Sequence, residues 1–177
     1  MNVIDAIIAL QAAALKVNVT LKSAIVSVKT NMIYVLYGQP GAGKTTLSKL
    51  LAEHLDTPHI IDGDELRELF VNNDFSREGR ERNITRAHTI ATFLSKTRDR
   101  PVILALVNPY EWLREDLRLH NKYVTTILLQ TNRDIRKEYH VEDFEVGRPD
   151  IALNTDRNIH ATYISLLSMI DKAPYYP

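Results

Sequence analysis

The stretch GQPGAGKTTLSKLL, residues 38–51, lies between a short apolar run and a segment with helical character. It matches the pattern G-x-x-x-x-G-K-[ST] through Gly38, Gly43, Lys44 and Thr45. The preceding run, MIYVLY at 32–37, is typical of a buried parallel strand. A strand, a glycine loop and a helix in this order predict backbone N–H groups that surround phosphate oxygens. The stretch therefore predicts a nucleoside triphosphate as the ligand.

Two side chains of this loop have expected roles of their own. Lys44 is expected to reach the β- and γ-phosphates, and the Thr45 hydroxyl is expected to ligate the Mg²⁺ that accompanies ATP. The alternative is a tight glycine turn without a ligand, which the complete motif in its strand-to-helix context disfavours. The residues expected to line the phosphates are Gly38, Gln39, Pro40, Gly41, Ala42, Gly43, Lys44, Thr45 and Thr46.

Patterns of strand and helix alternate along the rest of the chain. Short apolar runs predict five strands, at 32–37, 58–64, 100–110, 123–131 and 150–156. Helical patterns fall between and after them, at 44–55, 64–73, 79–99, 110–122, 132–140 and 158–170. This alternation predicts a three-layer α/β/α P-loop kinase fold with a mostly parallel five-stranded sheet. We assign residues 32–177 to this single domain.

Residues 1–31 carry no pattern that points to chemistry. VIDAIIALQAAAL at 3–15 predicts a helix, and LKSAIVSVKT at 21–30 alternates loosely, as a strand does. The segment is open to several interpretations: an added helix, an oligomerisation arm that would support a homodimer, a disordered tail, or an upstream extension.

Composition narrows the classes of partner. Lys plus Arg equals Asp plus Glu at 22 each, so the formal net charge is zero, which does not favour a nucleic-acid or anionic membrane partner. The chain has no cysteine, which excludes disulfides and thiolate zinc sites and suits the reducing cytoplasm. The apolar runs are shorter than the roughly 20 residues that a membrane-spanning helix needs.

The position of the acidic residues indicates which kind of P-loop protein this is. The chain lacks the Asn-Lys-x-Asp sequence of GTPases, and its third strand carries no acid. Asp62 and Asp64 instead follow the second strand, and ligands of such sheets bind at strand ends. One carboxylate would orient Mg²⁺ through water, and the other would accept the proton of an attacking hydroxyl. This arrangement suits a small-molecule kinase.

A candidate acceptor region follows the two acids. Arg80, Asn83 and Arg86 are three residues apart and share one helical face, while Arg67 and Phe75 precede them. Arginines there would clamp a second anion, and Phe75 would stack on a base. A solvated charged helix explains the same residues, and the charge pattern alone favours that interpretation.

Residues 32 to about 130 resemble the adenylylsulfate (APS) kinases. The resemblance rests on DGDELR at 62–67, DFSREGRERNITR at 74–86 and VNPY at 107–110, in addition to the generic P-loop. It implies transfer of the ATP γ-phosphoryl group to the 3′-hydroxyl of adenylyl sulfate, a step of sulfate assimilation. It also implies that Arg67, Arg80 and Asn83 hold the acceptor, that Phe75 stacks on its adenine, and that Asp62 and Asp64 flank magnesium and the acceptor hydroxyl.

The sequence departs from the family pattern at several places. Gly79 stands where the family has Asp, Asn108 replaces the Ser of SPY as an acceptor-site residue, and one residue is missing between Arg67 and Phe75. The family's lid is absent, and residues 132–149 take its place. There we expect Phe144 as a second stacking residue and Arg136 as the cation over the phosphates. A kinase for another acceptor (a nucleotide, a sugar or a hydroxymethyl base) and a nucleotide-binding regulator are the alternatives.

Overall fold

The computed structural model describes residues 31–133 and 135–170. The helix and strand expected within residues 3–15 and 21–30 lie outside these ranges. Five strands form one sheet, and each was expected from the sequence. Their bounds are β1 Ile33–Tyr37, β2 Ile60–Asp62, β3 Val102–Leu106, β4 Val124–Gln130 and β5 Ile151–Asn154.

All strand pairs of this sheet are parallel, in the order β2-β3-β1-β4-β5. Tyr37 at the end of β1 lies opposite Leu106 of β3 and Leu128 of β4. β2 ends at Asp62, which lies opposite Ala105 of β3. Because the strands are parallel, their carboxyl ends meet at one edge of the sheet. The glycine loop and the DGD acids therefore come together at that edge.

The five α-helices within the described residues agree with the sequence patterns apart from their ends. Their bounds are α1 Lys44–His54, α2 Gly63–Leu69, α3 Arg77–Thr97, α4 Glu111–His120 and α5 Ile159–Ile170. The helix predicted for 64–73 ends early, and Val71 just beyond it has a positive φ of 49°. The α3 helix begins two residues before the predicted start, because the Ser76 hydroxyl accepts a hydrogen bond from the Gly79 N–H and caps it.

The helix predicted over 132–140 is wrong. The described part of this stretch contains only a 3₁₀ turn, Lys137–Tyr139, which begins after Arg136 in a left-handed conformation with φ 54°. Its side chains are mostly exposed, so no apolar stripe is buried that would stabilise an α-helix here.

Helices cover both faces of the sheet and make three layers. Side chains of β1 alternate between two apolar clusters, with Tyr34 and Leu36 in one and Ile33 and Val35 in the other. The first cluster contains residues of α1 and α5, and the second contains residues of α2, α3 and α4. The predicted three-layer α/β/α fold is confirmed. No helix within the described ranges is both long and apolar enough to cross a membrane.

Candidate active site

The glycine loop joins β1 to α1 through backbone conformations that favour glycine. Gly41 and Gly43 have φ angles of 84° and 88°, and Gly43 is the residue that precedes the first turn of α1. Gly38 lies so close to β4 that a Cβ atom on it would come within 2.3 Å of the Leu129 carbonyl oxygen. The loop is therefore fixed against the sheet, with the positive end of the α1 dipole at its centre.

Lys44 points back into this loop. Its Nζ donates to the carbonyl oxygens of Gly38 and Gln39, both at 2.9 Å. Burial lowers the pKa of Lys44 from 10.5 to about 8, the nearby Asp64 and Asp62 act to raise it, and Arg136 acts to lower it. A lysine whose ammonium is held only by carbonyls and distant carboxylates is well placed to take an anion as its partner.

Asp62 connects the glycine loop to the second strand. Its Oδ2 accepts the Thr45 hydroxyl at 2.6 Å, and its Oδ1 accepts the Asp64 backbone N–H at 2.9 Å, which caps α2. Asp62 is buried, whereas Asp64 is exposed in the first turn of α2. The two acids thus have different environments: two hydrogen bonds fix Asp62, whereas Asp64 is exposed. The sequence placed both acids on the end of the strand, but Asp64 lies in the first turn of α2.

The acceptor candidates follow on α2 and on the loop before α3. Arg67 donates to the carbonyl oxygens of Asn72 and Asp74, and its guanidinium lies 4.4 Å from the centre of the Phe75 ring. Burial and the nearby charge of Arg80 lower the pKa of Arg67. An anion bound beside these two arginines would relieve the repulsion between their charges. Phe75 is 60% exposed, so one face of its ring is available for stacking.

Two further candidates, Asn83 and Asn108, are buried rather than exposed to a ligand. Asn83 donates to the Gly63 carbonyl oxygen at 3.2 Å, and Asn108 lies 3.2 Å from His88 Nε2. Among the described residues, neither side-chain oxygen has a hydrogen-bond partner. Burial lowers the pKa of His88 to about 4, so this imidazole is neutral at pH 7. Asn83 and His88 of α3 therefore contact the residues that follow β2 and β3, namely Gly63 and Asn108.

Residues 131–133 and 135–150, here called the bridging segment, cross the carboxyl edge of the sheet between β4 and β5. Ile135 covers the glycine loop, since a Cβ atom on Gly41 would lie 2.9 Å from the Ile135 side chain. The Gln39 side chain donates to the Val141 carbonyl oxygen and accepts the Val141 N–H, both at 2.9 Å. Arg136 lies between these contacts, and its charge reaches Lys44. The expected lid cation is thus close to the phosphate loop.

The second half of the bridging segment is held by aromatic and backbone contacts. Phe144 stacks on Tyr37, with ring centres 6.3 Å apart, and the Tyr37 hydroxyl donates to the Val146 carbonyl oxygen at 2.7 Å. One face of Phe144 is thereby used within the protein. The buried Arg114 donates to the carbonyl oxygens of Asn108, Glu145 and Val146. This arginine joins the end of β3 to the bridging segment.

A comparison with known protein families identifies the family of this chain. The family model described as Adenylylsulphate kinase matches residues 30–143, which is more than half of the 177 residues.

The chain belongs to the adenylylsulfate kinase family. Among solved structures, it is similar to the APS kinase CysC of Mycobacterium tuberculosis in complex with AMPPNP and APS. That likeness has a TM-score of 0.68 at 19% identity and covers 79% of this chain and 97% of that one. A gluconokinase from Sinorhizobium meliloti is similar at a TM-score of 0.60 and 12% identity, over 81% and 94% of the two chains. At these identities the likeness concerns the fold.

Curated relatives match over a shorter stretch. The chain is 60% identical over 37 residues to an adenylate kinase of Methanocella arvoryzae, which is 21% of this chain and 17% of that protein. The chain thus spans about a fifth of the length of the curated relatives it matches.

The structure explains one departure from the adenylylsulfate kinase pattern. A Cβ atom at Gly79 would lie 2.2 Å from the Asp74 carbonyl oxygen, so the loop before α3 packs directly on the first turn of that helix. Asn72 fixes the same loop by donating to the Gly79 carbonyl oxygen at 3.1 Å. Asp74 also forms an ion pair with Arg82. In this member of the family, the space for the usual Asp side chain at position 79 is filled by Asp74.

Sequence analysis missed two residues that the structure brings to this edge. The Gln39 side chain and Arg114 both bind the backbone of the bridging segment. Gln39 was expected only as a member of the phosphate loop, and Arg114 was not singled out. Arg114 lies with Leu113 and Leu117 on the buried side of α4. This position was the available signal, because an arginine on an apolar face is rarely without a polar partner.

Proposed function

We propose that this chain is a kinase that transfers the γ-phosphoryl group of ATP to the 3′-hydroxyl of adenylyl sulfate. The observation that carries the proposal is the 2.6 Å bond between Thr45 of the glycine loop and Asp62 of the DGD sequence. This bond joins the donor-binding loop to Asp62, which caps α2. Asp64 and Arg67 both lie on that helix. Donor, reacting hydroxyl and acceptor anion then meet at one edge of the sheet. The cytoplasm, where both nucleotides are made, is the compartment that fits this reaction.

The Thr45 hydroxyl and the Asp62 carboxylate fit a magnesium ion that accompanies ATP. Mg²⁺ prefers oxygen ligands and retains several waters, so one direct ligand and one carboxylate that binds such a water suffice. When bound, the ion would neutralise charge on the β- and γ-phosphates. Thr45 is the candidate direct ligand. The buried Asp62 is the candidate that orients water.

Asp64 is the candidate base in the proposed transfer. Its exposed carboxylate would accept the proton of the acceptor hydroxyl while that oxygen forms a bond to the γ-phosphorus. The bond from the γ-phosphorus to the bridging oxygen breaks, and ADP leaves. Lys44 would bind the oxygens that gain charge, and Arg136 would supply a second cation. Arg67 and Arg80 would hold the acceptor anion, with Phe75 against its base.

A coupled assay of ADP release with adenylyl sulfate tests the substrate, and two variants test the roles of the acids. Asp64→Asn should lower kcat by about 10²–10⁴-fold, because a general base typically contributes that much, and should leave the melting temperature unchanged. Asp62→Ala should also cost about 0.5–2 kcal/mol of stability, because it removes the cap of α2. A wild-type rate equal to the background without acceptor would rule out adenylyl sulfate. Full activity in Asp64→Asn would rule out its role as the base.

A sugar is the second candidate acceptor, because both aromatic rings that could stack on a base already contact a side chain of the protein. Arg67 occupies one face of Phe75 and Tyr37 occupies one face of Phe144, so each ring offers only its other face to a base. A sugar hydroxyl needs neither ring. Phosphoryl transfer from labelled ATP to gluconate, measured beside adenylyl sulfate, separates the two. The preferred acceptor should have a kcat/KM at least tenfold above the other, a difference of about 1.4 kcal/mol in transition-state binding.

A further inference from the structure

We propose that Gln39 is a positioning residue whose side chain holds residues 135–141 over the phosphate loop. The inference rests on the proposed kinase function, but its central test does not depend on the acceptor. Gln39 and Val141 are 102 positions apart in sequence, yet the Gln39 carboxamide donates to the Val141 carbonyl oxygen and accepts from the Val141 N–H. A carboxamide has an adjacent donor and acceptor, so it can pair with a backbone N–H and C=O at once.

The segment held by Gln39 has a second contact with the same loop. Ile135 lies against Gly41 at one end of residues 135–141, and Val141 is bound to Gln39 at the other. Val141 is 4% exposed, so this end is buried as well as hydrogen-bonded. Residues 135–141 are therefore fixed at both ends to the loop that is expected to bind phosphate.

Arg136 lies between the two contacts. Burial is the main cause of the lowered pKa of Lys44, and the charge of Arg136 acts in the same direction. Two cations that lie near each other without an anion repel, and a phosphate between them would remove this repulsion. Because Gln39 and Ile135 fix the backbone on either side, Arg136 stays beside the phosphate loop, where it would pair with a bound phosphate.

Gln39 serves Lys44 and Val141 through separate groups. Its backbone carbonyl accepts from Lys44 Nζ at 2.9 Å, while its side chain binds Val141. Lys44 can therefore leave the carbonyl for a phosphate without loss of the bonds to Val141. We infer that residues 135–141 stay in place through nucleotide binding. They would then exclude water from the γ-phosphate, the task that a long closing lid performs in other kinases.

The test compares three variants of the full chain with the wild type. Gln39→Met keeps the length of the side chain but removes both hydrogen bonds to Val141. Gln39→Glu keeps the oxygen that accepts the Val141 N–H and places a second carboxylate oxygen against the Val141 carbonyl. The matched control is Gln130→Met at the end of β4, where the side chain is exposed.

Hydrogen exchange is the first measurement, at amides that do not bond to Gln39 itself. Tyr139 N–H donates to the Arg136 carbonyl and His140 N–H donates to the Lys137 carbonyl, both at 3.0 Å. Both should exchange at least tenfold faster in Gln39→Met and Gln39→Glu than in the wild type, because local opening becomes easier. Gln130→Met should leave them unchanged. Wild-type exchange at both amides in the two Gln39 variants would overturn the proposal.

The second measurement is the ratio of ATP hydrolysis to phosphoryl transfer. Loss of the two bonds should raise this ratio about tenfold in Gln39→Met, because water reaches the γ-phosphate. A merely structural role would lower both rates together and leave the ratio unchanged, and that outcome would overturn the positioning role. A wild type that transfers to no acceptor contradicts the proposed function alone. In that case two measurements test the role of Gln39: hydrogen exchange at the Tyr139 and His140 amides, and the rate of ATP hydrolysis without acceptor. Wild-type values of both in Gln39→Met would contradict the role.

Discussion

At the scale of single residues, Lys44 shows how burial and binding oppose each other. Burial lowers its pKa to about 8, although Asp64 and Asp62 act in the other direction. The folded chain therefore loses this proton near pH 8, while the unfolded chain keeps it up to the ordinary value of 10.5. Between these values the unfolded state binds more protons, so Lys44 makes stability rise with pH in this window.

Nucleotide binding should restore the proton. We expect ATP binding at about pH 9 to take up close to one proton. At one unit above its pKa, about nine-tenths of Lys44 is neutral in the free protein, and the phosphates raise that pKa. Isothermal titration calorimetry in two buffers of different ionisation enthalpy measures this uptake.

Lys44→Met is the control for that uptake. It should bind ATP more weakly and without the linked proton. Equal uptake in the variant and the wild type would assign the proton to another group.

At the scale of elements, the connection from α2 to α3 determines the shape of the acceptor side. It begins at Val71, whose φ of 49° is rare for a β-branched residue. Asn72 binds the first turn of α3, and Arg67 binds the carbonyls of Asn72 and Asp74. The short connection thus holds Phe75 beside Arg67 and leaves no space for a side chain at position 79.

Restoring the family residue at position 79 should therefore harm the protein. Gly79→Asp should destabilise it by at least about 2 kcal/mol, because its Cβ meets the Asp74 backbone. Urea denaturation measures the loss, and Gly79→Ala should show most of it.

Glu78→Ala is the matched control in the same turn of α3. Its side chain is exposed, so the change should stay within about 0.5 kcal/mol. Unchanged stability of Gly79→Ala would show that Asp74 moves aside easily.

At the scale of the whole molecule, the carboxyl edge of the sheet is joined by residues from distant parts of the chain. Arg114 connects β3 to the bridging segment, Tyr37 binds the same segment from β1, and Gln39 binds it from the glycine loop. Most of the candidate site is therefore attached to β1 and β3, two interior strands of the sheet. A ligand bound there should stabilise the entire domain, since it binds only the folded state.

An ATP analogue with Mg²⁺ at 100 times its dissociation constant should stabilise the protein by about 2.7 kcal/mol. For a domain of this size, that corresponds to a rise of roughly 5–11 °C in the melting temperature. Differential scanning fluorimetry measures the shift.

Lys44→Met at the same analogue concentration should show a much smaller shift. A shift as large in this variant as in the wild type would place the nucleotide away from the glycine loop.

The sequence by itself determined the order of the five strands and of the helices other than the one expected at 132–140. It also determined the phosphate loop and the two acids at and just after the end of β2. Those features depend on patterns within about ten residues: apolar periodicity, glycine spacing, and acids directly after a strand. The family pattern added the acceptor candidates, of which Arg67 and Phe75 are in contact in the structure.

Only the tertiary structure decided how the shortened segment 132–149 is held. The contact of Gln39 with Val141 and that of Arg114 with Val146 join residues 102 and 32 positions apart. The tertiary structure also has one 3₁₀ turn after Arg136 where a helix was expected at 132–140. Local propensity could not predict these contacts, because a backbone group finds its partner only after the sheet brings the ends of β1, β3 and β4 together.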